Sequence, residues 1–116
     1  MLKLSDIHFS YAETQVLKGI NLDVRKGEII SIVGASGAGK TTLLHILGTL
    51  EKAKSGNYLI NDKSVLNLNP SELSKFRNLE IGFIFQFHNL LVEFSAFENI
   101  CLPGYISDIN KIEVEK

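Results

Sequence analysis

Residues 34 to 41 read Gly34-Ala35-Ser36-Gly37-Ala38-Gly39-Lys40-Thr41, which matches G-x-x-x-x-G-K-[ST], the P-loop pattern. Each part has a physical task. Glycines at 34, 37 and 39 let the backbone curl so that successive N–H groups of Gly34, Ala35, Ser36, Gly37, Ala38 and Gly39 turn inward as an anion-binding nest. The positive end of a following helix adds to that field. Lys40 brings a full charge to the β- and γ-phosphates of a nucleotide. The Thr41 hydroxyl is a hard oxygen ligand suited to Mg²⁺, and Thr42 supplies one more amide and hydroxyl near the α-phosphate. The chemistry is therefore the gripping of a triphosphate, which alone does not say which reaction follows.

Two further side chains are candidates. Tyr11 follows the first predicted strand, with Val16 and Leu17 just beyond, and its ring could stack on a purine. On spacing alone a packed strand-end tyrosine is the stronger reading. Gln86 follows a predicted strand ending at Phe85, and ligands collect at strand ends in α/β sheets. Its carbonyl oxygen could complete a Mg²⁺ shell and its amide could orient water; on spacing alone a solvated loop glutamine leads. His8 and His45 read as surface or packed residues, and no two histidines sit at metal spacing. Glu28 reads as a turn residue.

The elements that must position these groups follow from periodicity. Residues 2 to 10 alternate with one slip (Leu2, Leu4, then Ile7, Phe9), and Ile20, Leu22 and Val24 alternate against Asn21 and Asp23; both read as half-buried strands. Glu28 to Val33 is nearly continuous in β-branched apolar residues, which suits a strand buried on both faces in a parallel sheet. Residues 40 to 47 predict a helix ending at Gly48. Asn57 to Ile60 and Lys63 to Leu66 predict a hairpin around Asn61-Asp62. Asn69-Pro70-Ser71-Glu72 is a helix start, with an end expected near Arg77. Ile81 to Phe85 predicts another buried strand. Ser95 to Asn99 opens a short helix that Pro103-Gly104 should break, and a last helix is expected from Ser107 or Asp108. The fold class is α/β, with an antiparallel portion beside a parallel core.

Composition narrows the classes. The 116 residues are 45% apolar and 22% charged, which is globular rather than disordered. Twelve Lys and Arg against thirteen Asp and Glu give a net charge of -1, and no basic run exceeds Arg25-Lys26. Nucleic acid is thus not an expected partner. Cys101 is the single cysteine, which excludes an internal disulfide and reads as a small buried hydrophobe. The amino terminus lacks the apolar stretch of a signal peptide. The longest apolar run, Ile29 to Ala35, falls far short of the ~20 residues that span a bilayer, so membrane association is expected only through a partner.

Taken together, Tyr11, VLKGI at 16–20, GEIISIVGASGAGKTTLLHILG at 27–48, SGNYLIND at 55–62 and IGFIFQFHNLL at 81–91 resemble the ATP-binding subunit of ABC transporters. The resemblance runs from residue 2 to about 103. It implies a P-loop NTPase fold, ATP and Mg²⁺ as cofactors, and a homodimer that drives integral membrane permease subunits from the cytoplasmic face of the inner membrane. By the same resemblance Tyr11 is the A-loop aromatic on adenine, with Val16 beside the nucleotide. Gly34 to Thr41 form the Walker A loop, and Gln86 is the Q-loop glutamine that touches Mg²⁺ and the attacking water. The catalytic candidates are then Lys40 and Gln86, and the metal-binding candidates Thr41 and Gln86.

Arg77 to Pro103 is similar to the lipoprotein-releasing type within that family, which implies ATP hydrolysis coupled to release of lipoproteins. Macrolide-exporter-like and cell-division-like types are the alternatives, together with a fragment that binds ATP without hydrolysing it. Phe87, His88, Leu90, Leu91 and Phe94 would form the apolar surface that receives a coupling helix, with core packing as the other reading. No L-S-G-G-Q-like string, no Asp-Glu dipeptide and no later switch histidine occurs. The chain is therefore expected to be the amino-terminal half of one nucleotide-binding domain, inactive alone as an ATPase.

Overall fold

The computed structural model describes residues 1–87, 89–107 and 109–115. The chain forms two compact units, Met1–Leu73 and Ser74–Lys116.

The first unit is built on strands β1 (Leu2–Tyr11), β2 (Thr14–Val24), β3 (Ser55–Ile60) and β4 (Lys63–Ser64), in the order β2-β1-β3-β4. Every pairing is antiparallel. The slip in the β1 pattern is a real bulge: the register shifts between Leu4 and Ile7, with Asp6 at φ 53°. The extra residue returns Ile7 and Phe9 to the face that Leu4 occupies, and all three are buried. Opposite the bulge, Gly56 sits at φ 106°, and a Cβ there would collide with the Asp6 carbonyl. Asn61 and Asp62, both at positive φ, close the β3–β4 hairpin in a two-residue turn of the I′ kind.

Helix α1 (Lys40–Leu47) ends at Gly48 as its sequence predicts and buries Leu43 and Ile46. The core of this unit is Leu4, Ile7, Phe9, Leu17, Leu43, Ile46, Ala53, Tyr58 and Val65. Tyr58 crosses that core and donates its hydroxyl to the carbonyl of Leu47, one of the acceptors a helix end leaves over. Burial pushes the Tyr58 phenol well above its ordinary pKa.

Helix α2 (Pro70–Glu80) begins in the first unit and continues into the second. Its start is the reciprocal cap expected from the sequence: the Glu72 amide donates to Asn69 Oδ1 and the Asn69 amide to Glu72 Oε2, each at 2.9 Å. The second unit also holds α3 (Ala96–Ile106) and α4 (Lys111–Val114), and no strand among its described residues. Cys101 is buried, as its type suggests, and its thiol, in no disulfide, donates to the Val114 carbonyl at 3.8 Å. At the start of α3, the Ser95 hydroxyl and Ser95 amide hold the Glu98 carboxylate below its usual pKa.

Several expectations need correction. Residues 28–33 and 81–85 carry no ladder hydrogen bonds; Ile29 is 95% exposed and Ile84 is 100% exposed. A parallel strand exists only through non-local partners, and among the described residues neither segment is paired with a strand. β2 starts six residues before Ile20, at Thr14, because β1 pairs along nearly its whole length. β4 stops at Ser64, short of Leu66. α2 runs to Glu80 rather than Arg77.

Helix α3 passes through Pro103-Gly104 instead of breaking there. Pro103 removes one backbone donor. However, Gly104 lies so close to Val114 that a Cβ would meet its methyls at 2.7 Å, and Asn78 Nδ2 donates to the Pro103 carbonyl at 2.9 Å. Packing therefore carries the helix past its local breaker. The last helix starts at Lys111, capped by Asn110, not at Ser107; Asp108 lies outside the described residues.

The contact of Gly56 with the bulge gives a quantitative expectation. Gly56→Ala should destabilise the protein by more than about 1 kcal/mol, because a strained φ and a backbone clash act together. Gly82→Ala, at an open position with nothing within 4 Å of the added Cβ, should be nearly neutral. Thermal or urea unfolding of the two variants checks the difference; equal losses would show that the bulge yields.

Candidate functional site

The loop from Gly34 to Gly39 joins residues 28–33 to α1. Its order comes from both sides. Gly39 is the N-cap of α1 with φ 90°, and no side chain caps the helix. A Cβ on Gly39 would lie 3.0 Å from Val16 Cγ1 and 3.0 Å from Leu17 Cδ2. The second strand therefore walls the loop, and only a residue without a side chain lets the backbone come this close. Gly37 also needs a left-handed φ, 76°, but faces open space.

The amide inventory is the decisive feature. Ala38 N–H turns back to the Ala35 carbonyl at 3.2 Å. The amides of Gly34, Ala35, Ser36, Gly37 and Gly39 find no acceptor among the described residues, and residues 34 to 38 are exposed. The amides of Lys40, Thr41 and Thr42 occupy the first turn of α1, where no carbonyl lies one turn back; Leu43 is the first to bond, to Gly39 at 2.8 Å. A row of donors thus faces solvent at the positive end of a helix, which is the composition of an anion site.

Lys40 adds a cation. Its Nζ donates to the carbonyls of Gly34 at 2.9 Å and Ala35 at 2.6 Å. An ammonium has three N–H bonds, so two hold it over the loop and one remains for an incoming oxygen. Thr41 is exposed beside it; Thr42 has its side chain buried and presents its amide. Tyr11 ends β1 with 49% of its surface exposed, its ring edge-on to Phe9 at 4.8 Å and 81°. That contact braces one edge and leaves a face for stacking. An open groove of about 430 Å³ elsewhere in the first unit is lined by Leu2, Val24, Ile30, Ile32, Leu44 and Leu47.

The structure therefore brings Val16 and Gly34 to Thr42 into one neighbourhood in the first unit. Gln86 lies in the second unit, exposed, in a segment outside any helix or strand. Of the expected apolar surface, Phe87, Leu90, Leu91 and Phe94 are exposed, whereas His88 lies outside the described residues. Sequence reasoning did not foresee Leu17 as a wall of the loop or Lys40 as a ligand of loop carbonyls. The VLKG spacing placed Leu17 beside the motif but carried no sign of which glycine it would touch. Among the described residues, no group of three or more His, Cys, Asp or Glu side chains could hold a metal ion.

A G-x-x-x-x-G-K-[ST] loop running into the first turn of α1 defines the class: a P-loop chain. The family follows from comparison. The model of the ABC transporter family matches residues 17–116, and the chain belongs to that family. It is 54% identical over 115 residues to the lipoprotein-releasing system ATP-binding protein LolD of Cytophaga hutchinsonii, covering 99% of this chain and 52% of that protein. It is 51% identical to the LolD protein of Bacteroides thetaiotaomicron, covering 100% and 53%. Among solved structures, it superposes on the dimeric ABC transporter cassette MJ0796 with a TM-score of 0.89 at 35% identity, over 99% of this chain and 53% of that one. A post-hydrolysis form of the same cassette, bound to ADP and Pi, gives 0.86. The chain thus spans about half the length of the relatives it matches.

The wall on Gly39 predicts a coupling. Gly39→Ala should lower the unliganded protein's melting temperature more than Gly37→Ala, since both meet backbone strain but only the first meets side chains. Adding Val16→Ala to Gly39→Ala should recover part of the loss, so the double-mutant cycle is non-additive by about 0.5 kcal/mol or more. Additive losses would show that Val16 does not wall the loop.

Proposed function

We propose that this chain is the amino-terminal part of the nucleotide-binding domain of an ABC transporter's ATP-binding subunit of the lipoprotein-releasing type. In that reading the intact subunit works as a homodimer on the cytoplasmic face of the inner membrane. It couples ATP hydrolysis to membrane subunits that release lipoproteins. The observation that supports it most is the set of amides from Gly34 to Thr42 that, apart from that of Ala38, find no acceptor among the described residues, with Lys40 Nζ bonded to the Gly34 and Ala35 carbonyls. The names of the relatives favour lipoprotein release over macrolide export or cell division.

In this role the loop amides take the phosphate oxygens, and Lys40 directs its remaining N–H at the β- and γ-phosphates. Tyr11 carries the adenine on its open face, with Val16 beside it. Thr41 Oγ1 would ligate Mg²⁺, which when bound neutralises charge on the phosphates. Gln86 would complete the metal shell and orient water. Residues 28–33 and 81–85, apolar yet unpaired here, would join strands from the part of the subunit that the relatives possess beyond the matched half. Signature and Asp-Glu groups would come from there too, so the 116-residue chain by itself is expected to show no ATP turnover above background.

The test is a titration of the full-length subunit with labelled ATP and Mg²⁺. Lys40→Ala should weaken binding by at least about tenfold, the worth of a charge-assisted hydrogen bond. Tyr11→Ala should weaken it by about fivefold or more, from lost stacking. Gln86→Ala should spare affinity and lower the turnover number. Undiminished affinity in Lys40→Ala would overturn the assignment.

A further inference from the structure

Tyr11 is half exposed at the end of β1, and a side chain in such a place has three staggered χ1 rotamers open to it. A ring that moves among three positions meets a base for only a fraction of the time. In this chain one contact selects among them. The ring centroid of Phe9 lies 4.8 Å from that of Tyr11, with the two planes at 81°. The residues are two apart on β1 and so rise from the same side of the strand. Near-perpendicular rings at this distance attract beyond what their buried area gives, because the edge of one meets the π-face of the other. They also do not stack on one another, so a face of Tyr11 is left to a planar ligand.

Phe9 is in turn held by the core. It is 5% exposed and shares the buried side of β1 with Leu4 and Ile7. In the β1–β2 ladder it lies opposite Leu17, which is also buried and is one of the two side chains that wall Gly39. The ladder then slips. Ser10 pairs with Gln15 and Tyr11 with Thr14, so Val16 is left over on β2 as a bulge. Neighbours on a regular strand face opposite sides, and a bulge relaxes that rule. Val16 and Leu17 accordingly both lie 3.0 Å from the place a Gly39 Cβ would take. One buried ring therefore touches the tyrosine and sits across the ladder from the wall of the phosphate loop.

We propose that Phe9 is a positioning residue for nucleotide binding: its buried ring holds Tyr11 in the rotamer that offers a free face to the base, at a place tied to the Gly34–Thr42 loop through Leu17. This rests on the reading that Tyr11 carries the adenine. Being buried, Phe9 acts through Tyr11 and not on the nucleotide. A ring already held loses no rotamer freedom when the base arrives, which strengthens binding without adding a contact. The effect is bounded. With three rotamers equally open, the competent one holds about a third of the population, so loss of the brace weakens binding by at most about threefold. That is less than the loss expected when the Tyr11 ring itself is removed.

The experiment titrates the full-length subunit with ATP and Mg²⁺ as wild type, Phe9→Leu, Tyr11→Ala and the double variant. Leucine keeps an apolar side chain in the core and removes the ring. Phe9→Leu should weaken ATP binding by about two- to threefold. Once Tyr11 is alanine, the same change should alter affinity by less than about 1.3-fold. A residue that mattered only to the core would lower affinity alike in both backgrounds, and that result overturns the proposal. Undiminished affinity in Phe9→Leu overturns it too. If Tyr11→Ala leaves ATP affinity unaltered, the stacking reading itself fails, and the role of Phe9 fails with it.

The wild type supplies a check that needs no variant. In the unliganded subunit the three-bond couplings about χ1 of Tyr11 should be those of a single rotamer. Nuclear Overhauser effects between the Phe9 and Tyr11 rings should be present and should persist when ATP is added. Couplings averaged over rotamers overturn the proposal whatever the variants do, including when Phe9→Leu fails to fold.

Discussion

A backbone that turns its N–H groups outward must meet something negative. From Gly34 to Thr42 every amide but that of Ala38 finds no acceptor among the described residues, and the start of a helix and one ammonium group lie in the same place. Left to water, these donors are merely solvated. Gathered in one loop at the start of a helix, they make a field that favours an anion. The remainder of the first unit can be understood as what holds that loop in shape.

That support is local and specific. Burial of Leu43 and Ile46 fixes the helix to the sheet, and Tyr58 secures its far end through the Leu47 carbonyl. The bulge at Asp6 keeps Leu4, Ile7 and Phe9 on one face of β1, and Val16 and Leu17 of the paired β2 lie against Gly39. The nest therefore depends on a hairpin whose second strand ends at Val24, ten residues before Gly34. Lys40, by bonding to Gly34 and Ala35 carbonyls, ties the helix back to the loop's first residues.

Much of this was legible in the sequence because the signals were local. Helix 40–47 and the Asn61-Asp62 turn each depend on neighbours within a few positions, and each formed as read. The slip between Leu4 and Ile7 announced the bulge. What the sequence did not disclose was non-local. The apolar pattern of 28–33 states that both faces are meant to be covered, but not by which strand, and the family fold at a TM-score of 0.89 is shared with cassettes about twice as long. Pro103 looked like a stop because propensity is a local prior, and the fit of Gly104 against Val114 outweighed it.

The central claim concerns particular amides, so the most direct measurement observes them. Amide proton and nitrogen shifts of Gly34 to Thr42 in the full-length subunit should be followed as ATP and Mg²⁺ are added. The account predicts that these resonances move together and saturate with the binding isotherm, with those of Ser36, Gly37, Gly39 and Lys40 shifted most. Bound nucleotide with these amides unmoved would contradict it.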